Sequence, residues 1–318
     1  MRLAVGIVGA RRARQGLGPY VARDLIALGA ELRGYTATSE ATLSQAARQL
    51  EEYGIQSNGY TSVDRLIESE NLDALAILSP ADHHFAALEQ ALAARLHVLC
   101  EKPLLWGPGS AETAEGMARQ FESQSLLLFE NCQWPRTLET YFSLFPDAAG
   151  RTPQCFSMSL CPASAGLQLL IDALPHPLSM LAALAPGPDS RIENLELEIH
   201  NAQRDHLGLR FEYVTSTARI RTQLEFLRRD QPGPRPASYA LDGGWVERRI
   251  REPGYRMELT DGARAAELPD PLRAHLGLFL ETAQAVRLGG ALPDSEPLRA
   301  RQRHLAAICE HCRPELDG

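Results

Sequence analysis

The first part of the chain alternates short apolar runs with stretches of helical period. Residues 3–8 (LAVGIV) form an apolar run, and apolar positions then recur at helical spacing from Val21 to Leu28 until Gly29 ends the pattern. A second apolar run, LDALAILSP, has no polar alternation, which is typical of a strand buried on both faces. The other elements predicted here are a strand at Glu31–Thr36, helices at Glu40–Tyr53 and Val63–Ser69, a helix and strand in HHFAALEQALAARLHVLCEKP, and a strand in SLLLFEN.

Strands separated by helices predict an α/β fold with a Rossmann-type, doubly wound parallel sheet. Ligands of such a sheet bind beyond the carboxyl ends of its strands. From about residue 150 the pattern changes to alternating strands, such as RIENLELEIH and STARIRTQLEF, with one helix near Leu167–Leu184. We therefore predict a dinucleotide-binding domain over residues 1–125 and an α+β domain with an open, mostly antiparallel sheet over residues 126–318. The closing helices, near Pro271–Leu288 and Leu298–Cys312, are expected to pack back on the first domain.

Composition narrows the choice of partner. The chain has 318 residues, 44% of them hydrophobic, which is enough for about two domains. A formal net charge of −8 argues against nucleic acid or an anionic membrane surface as the partner and favours a small molecule. Six cysteines in a chain of this size predict free thiols and a cytoplasmic location, and we expect neither a leader peptide nor a membrane span.

The stretch GIVGARRARQGLGP lies where a dinucleotide-binding turn belongs. In the GxGxxG fingerprint the first glycine makes the tight turn, and Gly9 fits that role. Arg11 and Arg14 stand in place of the other two glycines, while Gly16 and Gly18 follow later. We interpret this as a lengthened loop whose helix end and arginines bind phosphate, the alternative being a surface turn with solvated arginines.

The end of the second predicted strand bears on the choice of cofactor. A carboxylate there usually binds the ribose hydroxyls of NAD and repels a 2′-phosphate. Here the strand continues as YTATSEA, with Thr38 and Ser39 at its end and no acid before Glu40. Hydroxyls beside an arginine favour NADP, and Glu40 keeps NAD as the alternative.

The segment HVLCEKPL places Glu101, Lys102 and Pro103 at the carboxyl end of a predicted buried strand. Together with SPADHHF, which holds Ser79, Pro80 and His84, it resembles the Gfo/Idh/MocA family of oxidoreductases. The resemblance extends over most of the chain, including FLETAQAVRLGGALPDSEPLRARQRHLAAI. The cofactor-binding residues that we predict are Gly9, Ala10, Arg11, Arg12, Gly16, Thr38, Ser39, Ser79, Pro80, His84, Glu101 and Lys102.

The resemblance also implies a catalytic set. Family members carry an Asp and a His four residues apart on a helix of the second domain, and IDALPHPLSML places Asp172 and His176 at that spacing. One helical turn puts both on one face, so they are expected to converge with Lys102. His176 would move the proton, Asp172 would orient it, and Lys102 would stabilise negative charge on the substrate oxygen. The alternatives are a solvated lysine at a strand end and a capping or core histidine, and Pro175 and Pro177 leave the helix geometry open.

The family implies an NAD(P)-dependent dehydrogenase or reductase that acts at a hydroxyl or carbonyl of a sugar- or polyol-like molecule, as a homodimer or homotetramer. The alternatives are an imine or other carbonyl reductase in a specialised pathway, and a nucleotide-binding sensor or partner subunit without turnover. In the family, the equivalent of ENCQWPRT faces the substrate, which makes Trp134 and Arg136 candidate substrate contacts; interdomain packing and a surface charge are the alternatives. We expect no metal site, since Cys309 and Cys312 share one short helix with no second ligand pair.

Overall fold

A computed structural model describes residues 2–12, 16–231, 233–251 and 255–317. The chain divides into two compact units. The first holds residues 1–131 and 272–299, and the second holds residues 132–271 and 300–318.

The first unit is built on a parallel sheet of six strands, as the alternating pattern predicts. The strand order is β3-β2-β1-β4-β5-β6, and every neighbouring pair is parallel. The order reverses between β1 and β4, which is the switch point at which ligands of open parallel sheets bind. The strands are β1 Ala4–Val8, β2 Glu31–Thr36, β3 Asn58–Tyr60, β4 Ala74–Ile77, β5 His97–Cys100 and β6 Leu128–Glu130.

Helices cover both faces of this sheet. They are α1 Gly18–Ala27, α2 Glu40–Glu51, α3 Val63–Ser69, α4 His84–Ala93, α5 Ser110–Ser123 and, from later in the chain, α9 Pro271–Arg287. One apolar layer joins Ile7 of β1 to Leu25 of α1 and Phe279 of α9, and all three are fully buried. The opposite layer includes Ile77 of β4 and Phe121 of α5. The central strands are buried on both faces, which explains their lack of polar alternation.

The division between the units differs from the predicted boundary at residues 125 and 126. Strand β6 pairs with β5 and completes the first sheet, so the division falls between Asn131 and Cys132. Residues 272–299 return to the first unit, where Leu276 and Phe279 of α9 join its core.

The second unit contains an eight-stranded sheet in the order β14-β13-β12-β11-β7-β10-β9-β8. All neighbours are antiparallel except β7 and β10. The strands alternate buried and exposed residues because one face packs inward and the other faces outward. They are β7 Cys155–Leu160, β8 Arg191–Ile199, β9 His206–Val214, β10 Arg219–Leu227, β11 Ala237–Leu241, β12 Gly244–Arg251, β13 Arg256–Thr260 and β14 Ala265–Leu268. The predicted fold class is confirmed in both sheets.

The helix predicted over Leu167–Leu184 is two helices, α7 Gly166–Ala173 and α8 Pro175–Leu184. Pro175 cannot donate a backbone hydrogen bond, so it begins a new helix. By length and composition Gly166–Leu184 is apolar enough to cross a membrane, contrary to our expectation that no such run exists, and 67% of it is buried inside the protein. This burial is typical of a core helix. The unit also contains α6 Leu138–Leu144 and residues 300–316 of α10 Glu296–Leu316.

Candidate cofactor and active sites

The turn after β1 has the geometry of a phosphate-binding turn at its start. Gly9 has φ +84°, and a Cβ there would lie 2.9 Å from the backbone nitrogen of Ser79. The amides of Gly9 and Ala10 donate to the carbonyl of Thr36 at 3.3 and 3.4 Å. A side chain at Gly9 would therefore be strained and would clash with the turn after β4.

The glycine that lets α1 begin against this turn is Gly18, and the predicted cofactor contact of Gly16 stays a prediction. A Cβ on Gly18 would overlap the backbone carbonyl of Ala10, and backbone cannot move aside as a side chain can. Gly16 lies in the preceding loop and is half-buried. Because Gly18 precedes Pro19 at the first turn of α1, it takes the close-packing role of the third fingerprint glycine. In the sequence, the signal for this role of Gly18 is the Gly-Pro pair at the start of the predicted helix.

The arginines of the turn lie beside α1 and α2. Arg11 donates from Nη1 to Oε1 of Gln45 at 2.8 Å. The guanidinium of Arg12 lies 4.9 Å from the ring centroid of Tyr20 and bonds its hydroxyl. Arg14 lies outside the described residues. The Arg11 guanidinium thus contacts the middle of α2, whereas the Arg12 guanidinium lies against α1.

The hydroxyl groups of Thr38 and Ser39, at the end of β2, form hydrogen bonds at the start of α2. Ser39 accepts a hydrogen bond from the amide of Thr42 while the Thr42 hydroxyl bonds the Ser39 amide, which forms a capping box. Oγ1 of Thr38 is 3.4 Å from Oγ1 of Thr42. Thr38 and Ser39 are both exposed, and so is Glu40 in the first turn of the helix.

His84 ties together the turns that follow β4 and β5. Its ring is buried, with Nε2 2.8 Å from the carbonyl oxygen of Ser79 and Nδ1 3.1 Å from the carbonyl oxygens of Pro103 and Leu104. The ring therefore holds the backbone on either side of the predicted cofactor site. Oγ of Ser79 is sheltered from water and has no hydrogen-bond partner among the residues that the structure describes, which suits a ligand contact. Pro80 follows in the same turn.

Glu101 and Lys102 stand directly after β5, as predicted. The amide of Glu101 continues the sheet ladder by donating to Ile77 at 2.8 Å. The Glu101 carboxylate accepts from the side-chain amide of Asn131, a partner that sequence reasoning missed. Burial raises the pKa of Glu101, and the charge of Lys102 and the Asn131 hydrogen bond oppose that shift. The carboxyl ends of β1, β4, β5 and β6 thus assemble Gly9, Ser79, Lys102 and its neighbours within one unit.

Asp172 and His176 belong to the second unit. Leu174, between the two helices, keeps helical angles of φ −58° and ψ −34°, so one continuous turn separates the two side chains despite the prolines. Asp172 accepts hydrogen bonds from the hydroxyl of Ser164 and, at 2.8 Å, from Nε2 of Gln168. The carbonyl of His176 accepts from the Ser179 hydroxyl at 2.6 Å. Their convergence with Lys102 stays a prediction.

The two predicted substrate contacts differ in their surroundings. Trp134 is buried, and its ring centroid lies 6.2 Å from that of His176 in an edge-on arrangement. Its ring also packs against Tyr239 at 6.3 Å. Arg136 is exposed on the short 3-10 helix Trp134–Thr137. Trp134 therefore stands beside the candidate proton donor, whereas Arg136 has the exposure of a surface charge.

Two further arginines of the second unit were missed from sequence. The guanidinium carbon of Arg248 lies 5.2 Å from the ring centroid of Trp134. Its Nη2 donates to the carbonyl of Arg235 at 3.2 Å. In the sequence Arg248 lies in the run VERRIR, where alternation alone does not show which arginine of the pair points inward.

Possible metal ligands are of two kinds. On the outer face of the second sheet, ligating atoms of His200, His206 and Glu225 lie within 4.8 Å of one another, and Glu225 Oε1 is 3.0 and 2.6 Å from the two Nε2 atoms. One carboxylate can accept from both rings without an ion. Cys309 and Cys312 are buried in α10, and burial raises the pKa of each thiol to about 12.

Residues 3–132 match the family described as "Oxidoreductase family, NAD-binding Rossmann fold" (GFO_IDH_MocA). This segment is therefore similar to the NAD-binding part of the Gfo/Idh/MocA oxidoreductases. The match covers the parallel sheet and its turns, in the unit that contains Gly9, Ser79 and Lys102.

Curated relatives also match over parts of their length. The uncharacterized oxidoreductase YgjR of Escherichia coli (strain K12) is 30% identical over 95 residues, which cover 30% of this chain and 28% of YgjR. The inositol 2-dehydrogenase of Leifsonia xyli is 27% identical over 152 residues, which cover 43% of this chain and 42% of that enzyme. The matches therefore span less than half the length of both relatives.

Solved structures are similar over the whole chain. An inositol dehydrogenase homologue from Azotobacter vinelandii, complexed with NADH and myo-inositol, superposes with a TM-score of 0.71 at 16% identity, covering 99% of this chain and 96% of that one. The likeness shows that the two proteins share a fold.

Proposed function

We propose that this protein is an NAD(P)-dependent oxidoreductase that transfers a hydride between a nicotinamide and a hydroxyl or carbonyl carbon of a sugar- or polyol-like small molecule. The observation that carries the proposal is the position of Lys102 directly after β5, in the unit that matches the NAD-binding family. Gly9 and Ser79 follow β1 and β4, the strands at which the order of the sheet reverses. The inositol dehydrogenases among its relatives support a polyol-like substrate.

Composition gives independent support for a special role of Lys102. It is the only lysine in the chain, since the other 31 of the 32 Lys and Arg residues are arginines. An ammonium is a compact charge with rotatable donors, whereas a guanidinium is a planar fork that does not release its proton. The chain therefore uses arginine at all its remaining Lys or Arg positions and keeps its single lysine beside the predicted nicotinamide site.

We assign roles to the three predicted catalytic residues. His176 moves the proton to or from the substrate oxygen, and Asp172 orients the imidazole from one helical turn away. Lys102 stabilises the negative charge that develops on that oxygen. When bound, the nicotinamide supplies the hydride chemistry. The carboxylate of Asp172, held by Ser164 and Gln168, is fixed in place for this role.

We propose NADP as the preferred cofactor, with NAD as the alternative. The guanidinium of Arg11 contacts Gln45 of α2, the backbone amide of Arg12 contacts Gln49 of the same helix, and residues 37–39 at the end of β2 carry no acid. A 2′-phosphate needs such cations and is repelled by the carboxylate that binds the ribose of NAD. The family as a whole is NAD-binding, so both cofactors belong in the test.

We further propose a reducing, cytoplasmic setting and a homodimer or homotetramer. All six cysteines are free thiols. Trp245 and Leu227, on the outer face of the second sheet, are 44% and 47% exposed, which suits a contact with a second copy. Light scattering of the purified protein tests the oligomeric state.

The decisive experiment compares wild type with Lys102→Ala and Lys102→Arg. We expect wild type to bind NADPH and to turn over with a sugar, polyol or keto compound in a substrate screen. Both variants should bind cofactor as wild type does and lose turnover by at least about 100-fold, the usual cost of removing an electrostatic stabiliser. Cofactor binding without any turnover in wild type would favour a nucleotide-binding sensor, and wild-type turnover in Lys102→Ala would refute the assigned role.

A further inference from the structure

We infer that the second unit contains an anion-binding subsite built on Arg248 and Arg235, which takes a carboxylate or phosphate group of the substrate. This inference rests on the proposed function, since it names the substrate class of the same reaction. The substrate would be a sugar- or polyol-like molecule that carries a carboxylate or phosphate group.

Arg248 is a sheltered cation that forms no ion pair with a carboxylate of the described residues. It lies on β12, on the same side of the strand as the fully buried Val246, while Arg249 points to the opposite side. Its Nη2 donates to the carbonyl of Arg235 at 3.2 Å. Its Nε is shielded from water and bonds none of the described residues, and no carboxylate oxygen among them lies within 4 Å of the guanidinium. A guanidinium has five N–H donors, so most of its capacity is left for a ligand.

The charge of Arg248 is removed from water, and no carboxylate of the described part of the chain forms an ion pair with it. Burial lowers the pKa of Arg248, and the more distant Tyr255 and Asp270 oppose that shift. The face of Trp134 gives it a cation–π contact at 5.2 Å. Such a contact compensates only part of the cost of removing a cation from water. An oxyanion at this position would supply the missing charge and the missing acceptors.

Arg235 repeats the pattern next to Arg248. One of its terminal nitrogens, Nη2, is sheltered and has no hydrogen-bond partner among the residues described. Burial lowers the pKa of Arg235, and the charges of Asp172 and Cys161 oppose the shift. The backbone of Arg235 is bound directly by the Arg248 guanidinium, and each of the two side chains has a sheltered nitrogen without a partner among the described residues.

The same region contains the candidate catalytic pair. Trp134 carries Arg248 on its face and approaches the ring of His176 at 6.2 Å between centroids. Asp172 is the carboxylate whose charge opposes the lowering of the pKa of Arg235. An oxyanion bound by the two arginines would thus be attached to a molecule whose reacting carbon can reach His176. Arginine forks match the paired oxygens of carboxylate and phosphate, which is why these two groups share the proposal.

The test measures anion binding without requiring turnover. Sodium acetate and inorganic phosphate are titrated into the full-length protein saturated with NADP⁺, at constant ionic strength, by calorimetry. We expect at least one of the two anions to bind wild type, and Arg248→Gln to weaken that binding about 10- to 100-fold. Arg248→Lys, which keeps the charge and loses the fork, should fall between them. The matched control is Arg249→Gln, the neighbour on the opposite side of β12, which should bind as wild type does.

Every outcome decides the proposal. Absence of binding by wild type, or equal binding by Arg248→Gln and wild type, would overturn it. If Arg248→Gln fails to fold, Arg235→Gln replaces it with the same expected loss. Acetate binding alone identifies a carboxylate, and phosphate binding alone a phosphate. NADP⁺ and NAD⁺ affinity is measured on the same samples, so that a missing cofactor site, which defeats the proposed function, is distinguished from a missing anion site.

Discussion

The close approach between α1 and the turn after β1 predicts opposite effects for one chemical change at two glycines. In Gly18→Ala the new methyl group would overlap the backbone carbonyl of Ala10. In Gly116→Ala, inside α5, the new methyl group would have no atom within 4 Å outside its own helix. The two variants add the same carbon to the same unit and differ only in what it meets.

The magnitudes follow from those surroundings. A backbone clash cannot be relieved by a rotamer change, so α1 must shift, and we expect Gly18→Ala to lower the free energy of unfolding by about 3 kcal/mol. Gly116→Ala should raise it by about 0.5–1 kcal/mol, because alanine loses less backbone entropy than glycine in a helix interior. With an m-value of about 2 kcal/mol/M in urea, the first variant loses about 1.5 M in midpoint.

The assay is urea unfolding followed by circular dichroism and by tryptophan fluorescence, with Trp106 reporting on the first unit. NADP⁺ affinity is measured in parallel, because a shift of α1 displaces the helix end that is expected to face the phosphates. We expect Gly18→Ala to bind the cofactor at least about 10-fold more weakly and Gly116→Ala to bind it unchanged. A Gly18→Ala variant within about 0.5 kcal/mol of wild type would refute the close-packing role of Gly18.

Three further predictions concern separate parts of the molecule. Burial lowers the pKa of His304 from 6.5 to about 4, so this ring reduces the free energy of unfolding as pH falls from 6.5 towards 4, by at most about 3 kcal/mol. His304→Gln should therefore flatten the dependence of the urea midpoint on pH over that range, and an unchanged dependence would contradict the lowered pKa. Arg11→Gln should raise KM for NADP⁺ about 10-fold and leave KM for NAD⁺ unchanged, whereas equal effects on both would argue against a 2′-phosphate contact. Tyr141→Phe removes a buried hydroxyl that donates to the carbonyl of Gly244 at 2.7 Å, and it should lower the free energy of unfolding in urea by about 1–2 kcal/mol. A decrease below about 0.3 kcal/mol would count against that hydrogen bond.

Local patterns predicted the first sheet well. The strand Glu31–Thr36 and the helix Val63–Ser69 lie where periodicity placed them, because buried strands and capped helices carry their signals in consecutive residues. Glu101 and Lys102 follow β5 for the same reason. The family model that matches residues 3–132 covers the same unit.

Long-range packing could not be derived from local patterns. The return of α9 to the first unit depends on contacts between Phe279 and residues more than 200 positions earlier, for which periodicity carries no information. The importance of Gly18 over Gly16 depends on the exact distance to Ala10. Arg248 was missed because a run of charges in a strand does not reveal which side chain is sheltered until the sheet is assembled.

The central claim is that a nicotinamide binds beside Lys102, and the single lysine allows a direct measurement. Amine acylation followed by mass spectrometry can modify only this side chain and the amino terminus of the chain. We predict that saturating NADP⁺ slows acylation of Lys102 at least about 10-fold, with the amino terminus as an internal reference. The compound 5′-AMP, which lacks the nicotinamide, should protect Lys102 far less. Equal acylation of Lys102 with and without bound cofactor would contradict the account.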